Sequence, residues 1–149
     1  ATCYGVSGML GGTNAWDQGK VAQTPLMTSK DWRAWCGAGM DVGSHTRTHA
    51  NLPELPLAQA QMEISASKQD LEQAIGCEVR HFCYPYGKYI AEHAQIAKEA
   101  GYATATTTQR GRVHAGADPY TLRRIMVARA TNPLQFVLKV ATAYEDRRT

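Results

Sequence analysis

Apolar positions along this chain alternate between two periods, and glycine or proline punctuates each change. Residues 1–6 (Ala1-Thr2-Cys3-Tyr4-Gly5-Val6) predict a strand, and Gly8, Gly11 and Gly12 then mark a loop. Thr28 or Ser29 can cap a short helix bearing Trp32, Trp35 and Cys36, ended by Gly37 and Gly39. Residues 40–43 predict a short strand. Leu57, Ala60, Ile64, Leu71 and Ile75 recur at helical spacing, with Gly76 as a stop. A strand over 79–84 is broken by Pro85-Tyr86-Gly87. Ile90, Ala94 and Ala97 share a helix face closed by Gly101, and strands follow over 102–107 and 122–128. Asn132 caps a last helix with Pro133 in its first turn, and Leu134, Val137, Leu138, Ala141 and Tyr144 give it an apolar stripe. Strands that alternate with helices predict one α/β domain over residues 1–149 with mostly parallel strands.

Composition narrows the class. A chain of 149 residues that is 44% hydrophobic has room for a sizeable core and does not read as disordered. No apolar run approaches the roughly 18 residues of a membrane span. Net charge is +3, unevenly spread: from Gln109 onward eight basic residues face three acidic ones. That basic third reads as a solvated face, and no aromatic-interleaved basic motif points to nucleic acid. Cys3, Cys36, Cys77 and Cys83 have no zinc-knuckle spacing, and a chain of this size does not depend on disulfides. They read as free or buried thiols, which leans towards a reducing compartment. No signal peptide is visible in the sequence, and an export signal would be expected in a part ahead of the first strand, so cytoplasmic and cell-envelope locations both stay open.

Chemistry in α/β barrels and open sheets gathers at the carboxyl ends of strands. Ser44-His45-Thr46-Arg47-Thr48-His49 follows the 40–43 strand, Pro85-Tyr86-Gly87 follows 79–84, and a loop with Arg110, Arg112, His114 and Asp118 follows 102–107. His45 and His49 stand four apart, so on a helical turn both imidazoles would point at one ion. Neutral imidazole suits Zn²⁺, Co²⁺ or Ni²⁺. Thr46 occupies the place of the glutamate in H-E-x-x-H, which removes the metalloprotease base.

These segments together resemble the polysaccharide deacetylases, the NodB-like carbohydrate esterase family 4. Gly43-Ser44-His45-Thr46-Arg47-Thr48-His49 is similar to that family's G-x-H-[ST]-x-x-H, and Tyr84-Pro85-Tyr86-Gly87 to its [RY]-P-[YW]-G groove motif. Asp118-Pro119-Tyr120-Thr121-Leu122-Arg123-Arg124-Ile125 resembles D-P-x-x-L-x-R-[IV] of a bacterial branch, and Ala1 to Gly8 resembles that branch's A-T-F-F-V-x-x-G strand. The resemblance implies a distorted (β/α) barrel and a metal-dependent hydrolase that removes acetyl groups from N-acetylated polysaccharide. It implies that His45 and His49 bind a divalent metal, most often zinc, where water is activated against the acetyl carbonyl. The backbone N–H of Tyr86 would stabilise the oxyanion. Thr46, Arg47, Tyr84, Pro85 and Tyr86 would line the sugar groove.

Three departures qualify that picture. The T-F-D-D-G segment, which supplies the base and the third ligand, should precede the A-T-F-F strand, and no Asp-Asp pair occurs in this chain. Asp41, four residues before His45, is expected on the buried side of its strand. Cys83 stands where many relatives carry arginine, with Arg80 read as a surface residue. The late L-x-H acid is missing, leaving His114 as the nearby candidate; His81 and His93 read as structural or surface groups. The chain is therefore expected to be the C-terminal portion of a deacetylase whose barrel is incomplete at its N-terminus. It should be nearly inactive alone and prone to self-association through unpaired strand edges. The alternatives are a catalytically inactive glycan-binding domain and a structural α/β fragment without a ligand.

Overall fold

A computed structural model describes residues 1–147. It contains β1 (Thr2–Gly5), α1 (Ser29–Gly37), β2 (Asp41–Ser44), α2 (Leu57–Ile75), β3 (His81–Cys83), α3 (Ala91–Glu99), β4 (Thr104–Arg110), β5 (Leu122–Arg124) and α4 (Pro133–Ala141). Short 3-10 turns lie at Ser7–Met9, Ala15–Asp17, Leu52–Glu54 and Pro85–Gly87. Helix boundaries follow local chemistry. Thr28 and Asp31 form a reciprocal capping box that starts α1. Gly76 ends α2 in the left-handed region at φ 74°. Asn132 and Gln135 form the box that starts α4.

The five strands form one parallel sheet in the order β1-β2-β3-β4-β5. That order has no switch point, so the strands progress as they do around a barrel rather than reversing as in a doubly wound sheet. Ser44, Phe82 and Ala105 are neighbours in register, and Gly43, His81 and Thr104 form the adjacent row on the opposite face. The first of these faces meets α1, α2 and α3. Val42, Ile64, Leu71, Val79, Phe82, Tyr84, Tyr102 and Ala105 are buried there in one cluster with Trp32. Truncating Ile64 or Leu71 to alanine would cost about 2–5 kcal/mol.

Three expectations need correction, and the exposed face of the last helix is a further finding. Cys36 and Cys77 form a disulfide, with Cα atoms 6.8 Å apart, which joins the end of α1 to the loop after α2; only Cys3 and Cys83 are free. The fifth strand stops at Arg124 rather than 128, because it pairs on one side alone and the ladder is irregular between Thr106 and Arg110. The apolar stripe of α4 is uncovered: none of its side chains is buried, and Leu134 is 70% exposed. Asp41 is exposed at the opening end of β2, where Thr2 Oγ1 approaches its carboxylate at 3.4 Å. No helix among the described residues is long and apolar enough to cross a membrane.

Candidate functional site

The segment after β2 is not helical. His45 and His49 converge because Thr46 and His49 adopt φ of 67° and 62°, conformations that residues other than glycine rarely take. The turn is held from three sides. Thr46 is fully buried, and its hydroxyl donates to the His45 carbonyl and accepts the His49 N–H at 3.0 Å. Glu63 of α2 accepts the Arg47 and Thr48 N–H groups at 2.9 and 3.0 Å and the Thr48 hydroxyl at 3.0 Å. From the β1 side, the Ser7 and Gly8 N–H groups donate to the Thr46 and Arg47 carbonyls at 3.1 and 2.9 Å. The backbone strain is thus offset by a dense set of bonds, and the loop is preorganised.

The two imidazoles meet edge to face with centroids 4.7 Å apart. His45 Nδ1 donates to the Cys83 carbonyl at 2.5 Å, which fixes the tautomer and leaves the Nε2 lone pair available. His49 Nδ1 is buried without a hydrogen-bond partner. Trp16, on the loop between β1 and α1, stacks on His49 with centroids 4.4 Å apart and planes 12° apart. Tyr86 meets the same ring edge-on at 4.8 Å. Burial pushes the His45 imidazole down to about 4, against the opposing pull of its bond to Cys83. Burial also lowers His49, opposed by the negative charge of Asp17. Both rings are therefore neutral at pH 7, the form that ligates metal.

The remaining candidates fall into two groups, those beside the histidines and those held elsewhere. Tyr86 sits at φ 58° in the turn after β3 and is 42% exposed, beside the histidines. Pro85 is buried beneath it. Tyr84 is fully buried, stacked on Tyr89, and donates its hydroxyl to the Tyr120 carbonyl at 3.0 Å, so it packs the core instead of lining a groove. Thr46 likewise lines no groove, since its hydroxyl is spent within the turn. Arg47 is drawn towards α2 by Asp70, Nε to Oδ2 2.8 Å. His114 is not brought to the pair; it is exposed on the β4–β5 loop with Nε2 3.7 Å from Asp146. His81 bonds Thr104 across the strands, and His93 is buried with its Nδ1 accepting the Ile90 N–H. Arg80 is exposed beside Glu78. Trp16 is the site residue that sequence periodicity misses. Its signal is a large aromatic within a loop of glycines and polar residues, outside any periodic stretch.

The donor chemistry fits a divalent cation in part. Two neutral imidazoles, one with a fixed tautomer and one with an orphaned buried nitrogen, suit a borderline-soft ion. Among the described residues no group of three His, Cys, Asp or Glu side chains is close enough to hold a metal.

Fold and site together define an α/β protein whose polar loops sit at the carboxyl ends of a parallel sheet. Residues 9–105 match the polysaccharide deacetylase family, and the chain belongs to that family. It is 28% identical over 102 residues to YxkH of Bacillus subtilis, named as a polysaccharide deacetylase, covering 68% of this chain and 37% of that one. The deacetylase PplD of Streptococcus pyogenes, solved in complex with acetate, superposes with a TM-score of 0.78 at 24% identity, covering 93% of this chain and 57% of that one. A polysaccharide deacetylase of Bacillus cereus gives 0.76 at 24% identity, with 93% and 41% covered. The chain thus spans less than two thirds of these relatives, and it shares the parallel-sheet fold of NodB-like deacetylases.

Proposed function

We propose that this chain carries the metal-binding and substrate-binding part of a hydrolase that removes acetyl groups from N-acetylated polysaccharide, breaking a C–N bond outside the peptide class. One observation carries the reading: His45, locked through Nδ1 by the Cys83 carbonyl, keeps Nε2 free, and its ring lies beside the neutral His49 ring with centroids 4.7 Å apart. A divalent cation, zinc first and cobalt or nickel next, would be held by these two rings and would supply Lewis acidity at the acyl carbonyl. The bond from His45 to Cys83 orients the first ring, and Thr46 and Glu63 hold the second in place. The Tyr86 amide donates to the oxygen that becomes negative as the carbonyl is attacked. The exposed Tyr86 ring offers a face to the sugar, and Pro85 fixes the turn that presents it.

Acetyl transfer to water also needs a proton acceptor, and the Asp-Asp pair that the resemblance implies for that role does not occur in this chain. That observation favours a second reading, an inactive domain that retains the glycan groove. Zinc titration followed by metal analysis, with H45A and H49A as controls, tests the metal centre; uptake that survives both substitutions refutes it. Acetate release from chitin oligomers or acetylated xylan by the protein of the complete reading frame separates the two readings. Release that depends on His45 supports the hydrolase, and zinc uptake without release supports the binding domain.

A further inference from the structure

The β1–α1 loop is built to deliver one side chain. At its neck, Gly11 N–H donates to the Met27 carbonyl at 3.0 Å and Leu26 N–H to the Gly12 carbonyl at 2.9 Å, and Thr13 and Pro25 form an antiparallel bridge. Inside the neck Asn14 acts as a clasp: its Oδ1 accepts the Thr24 N–H at 2.6 Å, and its Nδ2 donates to the Ala22 carbonyl at 3.2 Å. Ordering such a loop is costly in conformational entropy, and it buries little of its own surface. Trp32 belongs to the core and Trp35 packs against it, whereas Trp16 stands on this loop, half-buried, flat against His49.

We infer that Trp16 is a sugar-binding residue, the wall of the cleft opposite Tyr86, and that the β1–α1 loop forms a subsite for one pyranose ring of the glycan. This rests on the function proposed above and adds the residue and the loop that select the sugar. Trp16 lies parallel to the His49 ring and Tyr86 stands nearly perpendicular to it, so two partly exposed aromatics contact one imidazole. Aromatic side chains supply large rigid apolar area at little entropic cost and take up the C–H face of a sugar. Asp17 follows Trp16 on the same 3-10 turn and is half-buried, so the loop also carries an acceptor for sugar hydroxyls.

The test is calorimetric titration of the zinc-supplemented protein with the N-acetylglucosamine tetramer, comparing wild type, W16A and W16F, with zinc uptake measured on each. The expected result is a dissociation constant weakened about tenfold by W16A and within about threefold of wild type for W16F, with equal zinc uptake by all three. Equal affinity of W16A and wild type overturns the inference and leaves the proposed function standing. Zinc uptake lost together with sugar affinity in W16A also overturns it, because Trp16 would then only prop His49. A wild type that takes up zinc but does not bind the tetramer overturns this inference, while the acetate-release assay judges the hydrolase independently.

Discussion

Gly87 joins the aromatic wall of the site to β4, and its replacement separates backbone strain from steric conflict. Its φ is 68°, a conformation that costs an L-residue about 1–2 kcal/mol. A Cβ at Gly87 would also overlap Thr108 Oγ1 and stand 2.5 Å from the Thr108 backbone nitrogen. The obstacle includes main chain of a paired strand, so it cannot swing away, and such overpacking adds about 1–3 kcal/mol. Gly76 is the control: φ is 74°, but a Cβ there would meet nothing within 4 Å. Gly76→Ala should therefore show the strain alone, about 1 kcal/mol, and Gly87→Ala about 3 kcal/mol in total. Urea unfolding of the two variants against wild type gives both numbers. Gly87→Ala should also weaken glycan binding, because relief of the clash displaces the turn that carries Tyr86. If Gly87→Ala unfolds at the same urea concentration as Gly76→Ala, the steric reasoning is wrong.

Other outcomes follow from the same geometry. Glu63→Ala strips the Arg47 and Thr48 N–H groups of their acceptor and should lower zinc affinity about 10- to 100-fold, read by competition with a chromogenic chelator. Reduction, or the Cys36→Ser/Cys77→Ser pair, opens a 41-residue crosslink and should cost about 4 kcal/mol, a fall of about 8–16 °C in a thermal melt. In metal-free protein His45 is held neutral when folded, with its value depressed to about 4, but protonates freely when unfolded. Its contribution is thus complete above about pH 6.5 and is lost as the pH falls from there through 4, worth about 3 kcal/mol at the limit; urea midpoints at pH 7 and 5 should converge in His45→Gln. The uncovered α4 stripe and the outer edges of β1 and β5 predict concentration-dependent association in size-exclusion chromatography, and a stable monomer at all concentrations would refute it.

Elements governed by local chemistry were legible in the sequence. The apolar repeat from Leu57 to Ile75 and the left-handed residue Gly76 determine α2 at both ends. The Thr28–Asp31 pair likewise sets the start of α1. Strand limits were less legible, because a strand exists only where a partner pairs with it. Ile125-Met126-Val127-Ala128 has the composition of a strand, yet β5 ends at Arg124 where pairing to β4 ends. The Cys36–Cys77 bond was hidden for a related reason. It depends on α1 and α2 ending side by side across 41 residues, and no spacing rule encodes that.

The site shows the same division at a finer scale. A spacing of four suggested that two histidines share a helical face, and they do converge, but through a different backbone. Thr46 and His49 in the left-handed region turn the chain, and the cost is borne by Thr46 Oγ1 within the turn and by Glu63 and the Ser7 and Gly8 amides, from two segments distant in sequence. A helix would have needed only its own hydrogen bonds. This loop cannot hold its shape without α2 and β1, so the metal-ligating geometry is a property of the folded sheet and not of the motif. It follows that a peptide spanning residues 41–52 should bind zinc no better than an arbitrary peptide with two histidines, whereas the folded chain should bind it with His45 already neutral and aimed. Comparison of the two zinc affinities measures that preorganisation directly, and equal affinities would show that the surrounding scaffold contributes nothing to the site.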